Sequence, residues 1–285
     1  MSNPYSFPTP HPEVNAVLNM LLADVQAVLG RQFTGLYLHG SLAYGDFNPE
    51  TSDIDFLVVT EGFLPAGTFS ALRQMHARLF QSGLAWSQKL EGAYLPKEVV
   101  RRHPSINSPV PAVPWTAGQV RPVQAGQAPA CRPTPWLGVD GHFALEAPGS
   151  DWIIQRWILR EKGLVLAGPP LAGLIDPVSP QELRQAVLAS LREWWSPPFP
   201  SPQRFESDEY QAYAILTMCR SLYVLAHGRV ASKPEAAGWA MQTLGDPWRG
   251  LVSAAAAWRP GMVFNRLEET LDFIRYTLAT GAPVL

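Results

Sequence analysis

Residues 40–55 read Gly40-Ser41-Leu42-Ala43-Tyr44-Gly45-Asp46-Phe47-Asn48-Pro49-Glu50-Thr51-Ser52-Asp53-Ile54-Asp55, and the rest of the chain is organised around them. Before them, Phe33 to Leu38 reads as a buried strand; after them, Ile54 to Val59 reads as a second. A strand that breaks into Gly-Ser and a short turn can aim backbone N–H groups at a phosphate. Side chains alternate along a strand, so Asp53 and Asp55 share one face while Ile54, Phe56 and Val58 take the other. Adjacent carboxylates at about 4 Å repel by ~4 kcal/mol at an effective dielectric near 20. That repulsion calls for a cation, and oxygen ligands beside a phosphate-binding turn favour Mg²⁺. Asp-x-Asp taken alone also fits a polar turn that caps a strand, with Asp55 on a solvated face.

The whole phrase is more specific than the pair. Gly40-Ser41, eleven residues, then Asp53-Ile54-Asp55 on an apolar strand resembles the signature of the nucleotidyltransferase superfamily.

Composition sets the limits. The 285 residues suffice for one large domain or two ordinary ones. A net charge of −2 and a pI near 6.3 supply no basic footprint, so no nucleic-acid partner is expected. Cys131 and Cys219 form neither a metal spacing nor a disulfide framework. The N-terminal residues show no signal-peptide pattern, and the apolar run from Gly163 to Ile175 is too short for a bilayer and contains Pro169 and Pro170. The expectation is a cytoplasmic protein with no membrane partner, a monomer or weak dimer.

Helical periodicity covers Glu13 to Leu29, and a second helix runs from Pro65 to Gln81 with Leu72, Met75 and Leu79 as its buried stripe. His76 falls within it and reads as an exposed or hydrogen-bonded helix histidine. Ala85 to Leu95 alternates as a third strand with Glu91 near its middle. Beside the Asp53–Asp55 strand, Glu91 would complete a carboxylate triad; away from it, it is a solvent-facing residue. Eight prolines between Pro104 and Pro135 make residues 103–137 a long loop, with Trp115 and Trp136 as its large apolar anchors. A strand at His142 to Glu146, a helix at Ser150 to Lys162 and a strand at Leu164 to Leu166 close the first half. The boundary falls at Asp176 to Ser179, giving domains 1–177 and 178–285. The second reads as wholly helical: Pro180 to Trp195, Ser207 to His227, Lys233 to Leu244, Pro247 to Trp258 and Phe264 to Thr280. The fold class is therefore α/β (α+β): a mixed sheet with flanking helices, then an all-helical C-terminal domain.

Leu216 to Met241, LTMCRSLYVLAHGRVASKPEAAGWAM, is similar to the C-terminal helical domain of the aminoglycoside adenylyltransferases that modify streptomycin and spectinomycin. In that family the Gly-Ser and Asp-x-Asp domain comes first, so the resemblance covers both halves in order. It implies ATP as co-substrate, Asp53 and Asp55 as Mg²⁺ ligands with Glu91 completing the set, and Glu91 as general base. It also implies Arg220 and Lys233 as contacts to the ATP phosphates across the interdomain cleft, while Gly40 and Ser41, at the strand-to-turn break, are expected to hold the outgoing phosphates. Glu206 and Asp208, in an acidic cluster that also caps a helix, fall near a position that meets the antibiotic's cationic groups. A tryptophan contacts streptomycin in that family; Trp115, Trp136 and Trp152 are the candidates. The proline-rich stretches at 103–137 and before the acidic helix depart from the family pattern and leave the acceptor open. The alternatives are another small hydroxylated acceptor or a non-catalytic, antitoxin-like nucleotide-binding module, for which a general base would be superfluous.

Overall fold

The structure, a computed structural model, describes residues 8–102, 132–197, 199 and 202–281. Two compact units emerge among these residues. The first takes 8–102, 132–148 and 158–177, and the second takes 149–157 and the residues from 178 onward.

The elements run α1 (Pro12–Leu29), β1 (Phe33–Leu38), α2 (Gly40–Tyr44), β2 (Ile54–Thr60), α3 (Ala66–Phe80), β3 (Leu90–Pro96), α4 (Lys97–Arg101), β4 (Thr134–Leu137), β5 (Phe143–Glu146), α5 (Asp151–Lys162), β6 (Leu164–Ala167) and α6 (Leu171–Leu174). Helices α7 (Pro180–Trp194), α8 (Asp208–His227), α9 (Lys233–Thr243), α10 (Trp248–Ala257) and α11 (Leu267–Thr280) follow. None of the described helices is long and apolar enough to cross a membrane.

The first unit is a six-stranded mixed sheet in the order β5-β4-β3-β2-β1-β6. Only β2 and β3 pair in parallel, as two strands joined by a crossover helix must. The stripe Val14, Val17, Leu18, Leu21 and Val25 of α1 packs with Leu72, Met75 and Leu79 of α3 over Ile54, Phe56 and Val58 of β2. On the opposite face of β2, Asp55 is half-buried while Leu57 and Val59 are fully buried. The carboxylate thus stands where an otherwise covered strand opens to solvent.

Three sequence expectations are corrected by the fold. The third strand begins at Leu90, not Ala85, because Trp86 takes a left-handed backbone (φ 73°) and Ser87–Lys89 form one 3-10 turn. Gly40-Ser41 opens the short helix α2 rather than a plain turn. Thr134–Leu137, expected within the proline-rich loop, is a strand. It pairs with β3 only at Gly92↔Leu137 and Ala93↔Trp136, so that side asks nothing of the N–H that Pro135 lacks. The remainder of that expected loop, with Trp115 and Cys131, lies outside the described residues.

His76 is buried at 3% exposure, with Nε2 2.6 Å from the Tyr94 hydroxyl and its ring beside Phe56 and Phe143. Burial holds its pKa down at about 3. Of the two expectations for this histidine, the hydrogen-bonded one holds.

The second unit packs α7, α9, α10 and α11 around α8. Ile215, Met218, Cys219 and Leu222 line the buried side of α8 at helical spacing. Three of this unit's helices, α7, α8 and α9, start on a serine cap. Ser179 and Glu182 form a reciprocal capping box on α7, Ser207 accepts from the Tyr210 N–H on α8, and Ser232 accepts from the Glu235 N–H on α9.

Candidate active site

The register of the parallel pair builds the site. Asp55 on β2 lies opposite Glu91 on β3, and Ile54 opposite Leu90. Partners across a ladder share a face, so the two carboxylates project together, with Asp53 beside them. One carboxylate oxygen from each of Asp53, Asp55 and Glu91 can be chosen so that all three lie within 4.8 Å of one another.

Two glycines make this approach possible. A Cβ at Gly92 would lie 2.5 Å from the Phe56 carbonyl oxygen and 2.6 Å from the Phe56 ring, so only glycine lets β3 come this close to β2. Gly40 has φ +60°, and a Cβ there would fall 1.8 Å from Oδ2 of Asp55. The His39 N–H donates to the Asp55 carbonyl at 3.1 Å, tying the approach to α2 onto β2. At the next residue, the Ser41 hydroxyl oxygen is buried with no hydrogen-bond partner. A buried, unmatched hydroxyl beside crowded carboxylates is suited to a phosphate oxygen.

Negative charge is crowded at this site. Although solvent reaches the Glu91 side chain, lost hydration at its carboxyl, followed by repulsion from Asp55, Asp53, Asp140 and Glu146, pushes its pKa up to about 8. Burial raises Glu146 as well, with Asp140 adding to the shift and His142 opposing it. Burial holds His39 down at about 4, against the pull of Asp53, so His39 is neutral at pH 7. Three hard oxygen donors at this separation fit a divalent cation of the Mg²⁺ type.

The acidic residues beyond the triad were not legible as part of it. Asp140 lies in the turn where the Gly138 N–H donates to the His142 carbonyl, and Glu146 ends β5. The missing signal was the pairing of β4 with β3, which the prolines hid. His39 carries its signal in the open, immediately before Gly40-Ser41.

The same pairing sorts the tryptophans. Trp136 lies opposite Ala93 on β3 and Ala144 on β5, on the sheet face that carries Asp55 and Glu91. Its half-buried ring donates from Nε1 to the Thr134 hydroxyl at 3.2 Å. Trp152 is 2% exposed and belongs to the core of the second unit.

In the second unit, Arg220 donates from Nε to the Ala231 carbonyl at 3.1 Å, and Lys233 is exposed at the start of α9. The segment between them is fastened twice more. The Tyr223 hydroxyl donates to Glu235 at 2.9 Å, and Arg229 pairs with the same carboxylate at 3.0 Å. Glu206 is exposed at the end of a 3-10 turn, while Asp208 accepts the Asn265 N–H at 2.8 Å.

Comparison with known proteins matches two stretches of the chain. Residues 27–99 match the nucleotidyltransferase domain, and residues 173–279 match the C-terminal domain of aminoglycoside adenylyltransferases. An aminoglycoside (3'') (9) adenylyltransferase of Escherichia coli is 28% identical over 271 residues, 93% of each chain. A spectinomycin 9-adenylyltransferase of Campylobacter jejuni is 24% identical over 246 residues, 84% of this chain and 82% of that one. Among solved structures, a spectinomycin adenyltransferase from Enterococcus faecialis, crystallised with ATP and spectinomycin, shares the fold. Its TM-score is 0.65 at 17% identity, over 93% of this chain and 98% of that one.

Proposed function

We propose that this chain, an aminoglycoside adenylyltransferase-like member of the nucleotidyltransferase superfamily, transfers AMP from ATP to a hydroxyl of an aminoglycoside such as streptomycin or spectinomycin. The observation that carries the reading is the convergence of Asp53, Asp55 and Glu91 across one parallel register.

Asp53, Asp55 and Glu91 would hold Mg²⁺, which would supply the positive charge that triphosphate oxygens require. Glu91 then takes the proton of the acceptor hydroxyl. The hydroxyl oxygen bonds to the α-phosphorus of ATP, the bond from that phosphorus to the bridging oxygen breaks, and pyrophosphate leaves with its electron pair. Gly40 and Ser41 hold the outgoing phosphates, Ser41 through its unmatched hydroxyl. Arg220 and Lys233 are assigned to the same phosphates. Glu206 and Asp208 are assigned to the cationic groups of the acceptor, and Trp136 to a face of its ring system. Residues 1–177 are assigned to the transfer and residues 178–285 to nucleotide and acceptor binding, with 149–157 packing in the second unit.

The test is to incubate the protein with Mg²⁺, ATP and, separately, streptomycin, spectinomycin and a panel of other aminoglycosides. Mass spectrometry then reads the AMP adduct, and a coupled assay reads pyrophosphate. An adduct on an aminoglycoside is expected. Mg²⁺-dependent ATP binding with no adduct on any of them would refute the antibiotic acceptor and leave the transferase chemistry to another hydroxyl.

A further inference from the structure

The ammonium of Lys233 lies 5.4 Å from the centroid of the Tyr213 ring. This is inside the ~6 Å over which an aromatic face attracts a cation. Tyr213 is 44% exposed on α8, yet its ring is not loose: it tilts against Tyr210 at 5.6 Å and Trp195 at 6.3 Å. Trp195 is only 7% exposed and also meets Phe205, which is 4% exposed. An aromatic ladder thus leads from the core of the helical unit out to the one ring that meets Lys233.

Arg220 stands seven residues after Tyr213, two turns along the same side of α8. Its bond to the Ala231 carbonyl anchors the backbone two residues before Lys233. Arg220 thus holds the backbone leading into Lys233, while Tyr213 attracts its ammonium. A lysine side chain free in solvent has much rotamer entropy to lose when it captures a phosphate. One already resting on a ring has less to lose.

Building on the assignment of Lys233 to the ATP phosphates, we infer that Tyr213 is a positioning residue for nucleotide binding, its ring holding the Lys233 ammonium ready for the triphosphate. The ring does this, not the hydroxyl, and it acts on ATP rather than on the acceptor.

The experiment compares Y213L, Y213F, Y213W, K233M and the double variant Y213L/K233M in the full-length protein, measuring KM and kcat for ATP and for the acceptor, with ATP Kd by calorimetry. Y213L is expected to raise KM and Kd for ATP about two- to five-fold, the range of an exposed cation–π contact, with kcat and acceptor KM unchanged. Y213F and Y213W keep a ring and are expected to stay within twofold of wild type. In the K233M background, Y213L is expected to add nothing. An equal effect of Y213L with and without Lys233, or a Y213F defect as large as that of Y213L, overturns the inference while leaving Lys233 assigned to the phosphates. An unchanged ATP KM in K233M removes that assignment, and the inference with it.

Discussion

Gly40→Ala puts the geometry of the site under direct strain. The new Cβ would sit 1.8 Å from Oδ2 of Asp55, 2.7 Å from its Cγ and 3.2 Å from its Cβ. Ordinary contact needs about 3.4 Å, so the carboxylate must withdraw by roughly 1.5 Å or α2 must shift. A left-handed backbone for a residue with a Cβ adds ~1–2 kcal/mol of strain. Misplacement of a reacting group by ~1 Å costs about 10²-fold in rate. Turnover is therefore expected to fall at least ~10²-fold, with Mg²⁺-dependent ATP binding weakened and Tm lowered by roughly 2–6 °C. Gly45→Ala is the control, because Gly45 has φ +75° but nothing within 4 Å of its added Cβ. It should show the strain in a thermal melt and lose much less activity. Steady-state AMP transfer, Mg²⁺ titration by calorimetry and circular dichroism melts on both variants make the comparison. G40A turning over within threefold of wild type would refute the claim that this glycine exists to admit the Asp55 carboxylate.

Asp53→Asn and Asp55→Asn should each abolish Mg²⁺-dependent nucleotide binding without unfolding the protein; either variant at wild-type activity would misplace the site. Glu91→Gln should slow turnover by about 10²- to 10⁴-fold and leave ATP binding intact, which single-turnover and calorimetric measurements separate. The same substitution should raise the Tm of the metal-free protein at pH 8–9, since a carboxyl held at about 8 in the fold against 4.5 unfolded costs stability progressively as pH rises above 4.5 and in full above 8. A lower Tm there would contradict the crowding. His76 gives the opposite pH trend. Its pKa falls from 6.5 unfolded to about 3 folded, so the unfolded chain binds the extra proton below pH 6.5. Stability should be full above that pH and decline by up to ~1.4 kcal/mol per unit toward pH 3, a slope that urea titrations should find reduced in His76→Phe.

What could be read in the sequence was what is local. The phrase from Gly40 to Asp55 has a strand on each side, and alternation alone puts Asp53 and Asp55 on one face. Glu91 stayed ambiguous because its place depends on register, a fact about two strands 30 residues apart in the chain rather than about either one. Thr134–Leu137 was hidden by the prolines around it, and with it went the proximity of Asp140 and Glu146 to Glu91 and the position of Trp136. The capped starts of α7, α8 and α9 were legible because serine and acidic residues announce them. The contact between Tyr213 and Lys233 was not, because no periodicity links a residue on one helix to the first residue of the next.

Gly92 has a consequence for how such a chain can change over time. Its missing side chain is the notch into which Phe56 fits, and a slide of β3 by one residue would bring Glu91 or Ala93 into that notch and turn Glu91 to the helix-covered face. The notch acts as an index mark for alignment. Insertions and deletions between Thr60 and Leu90 can accumulate in the connections flanking α3 without disturbing the chemistry, because alignment is set after them. A single-residue insertion between Glu91 and Gly92 would break it. Lineages of this enzyme should therefore vary freely in the length of that connection while keeping the spacing from Glu91 to Gly92 fixed.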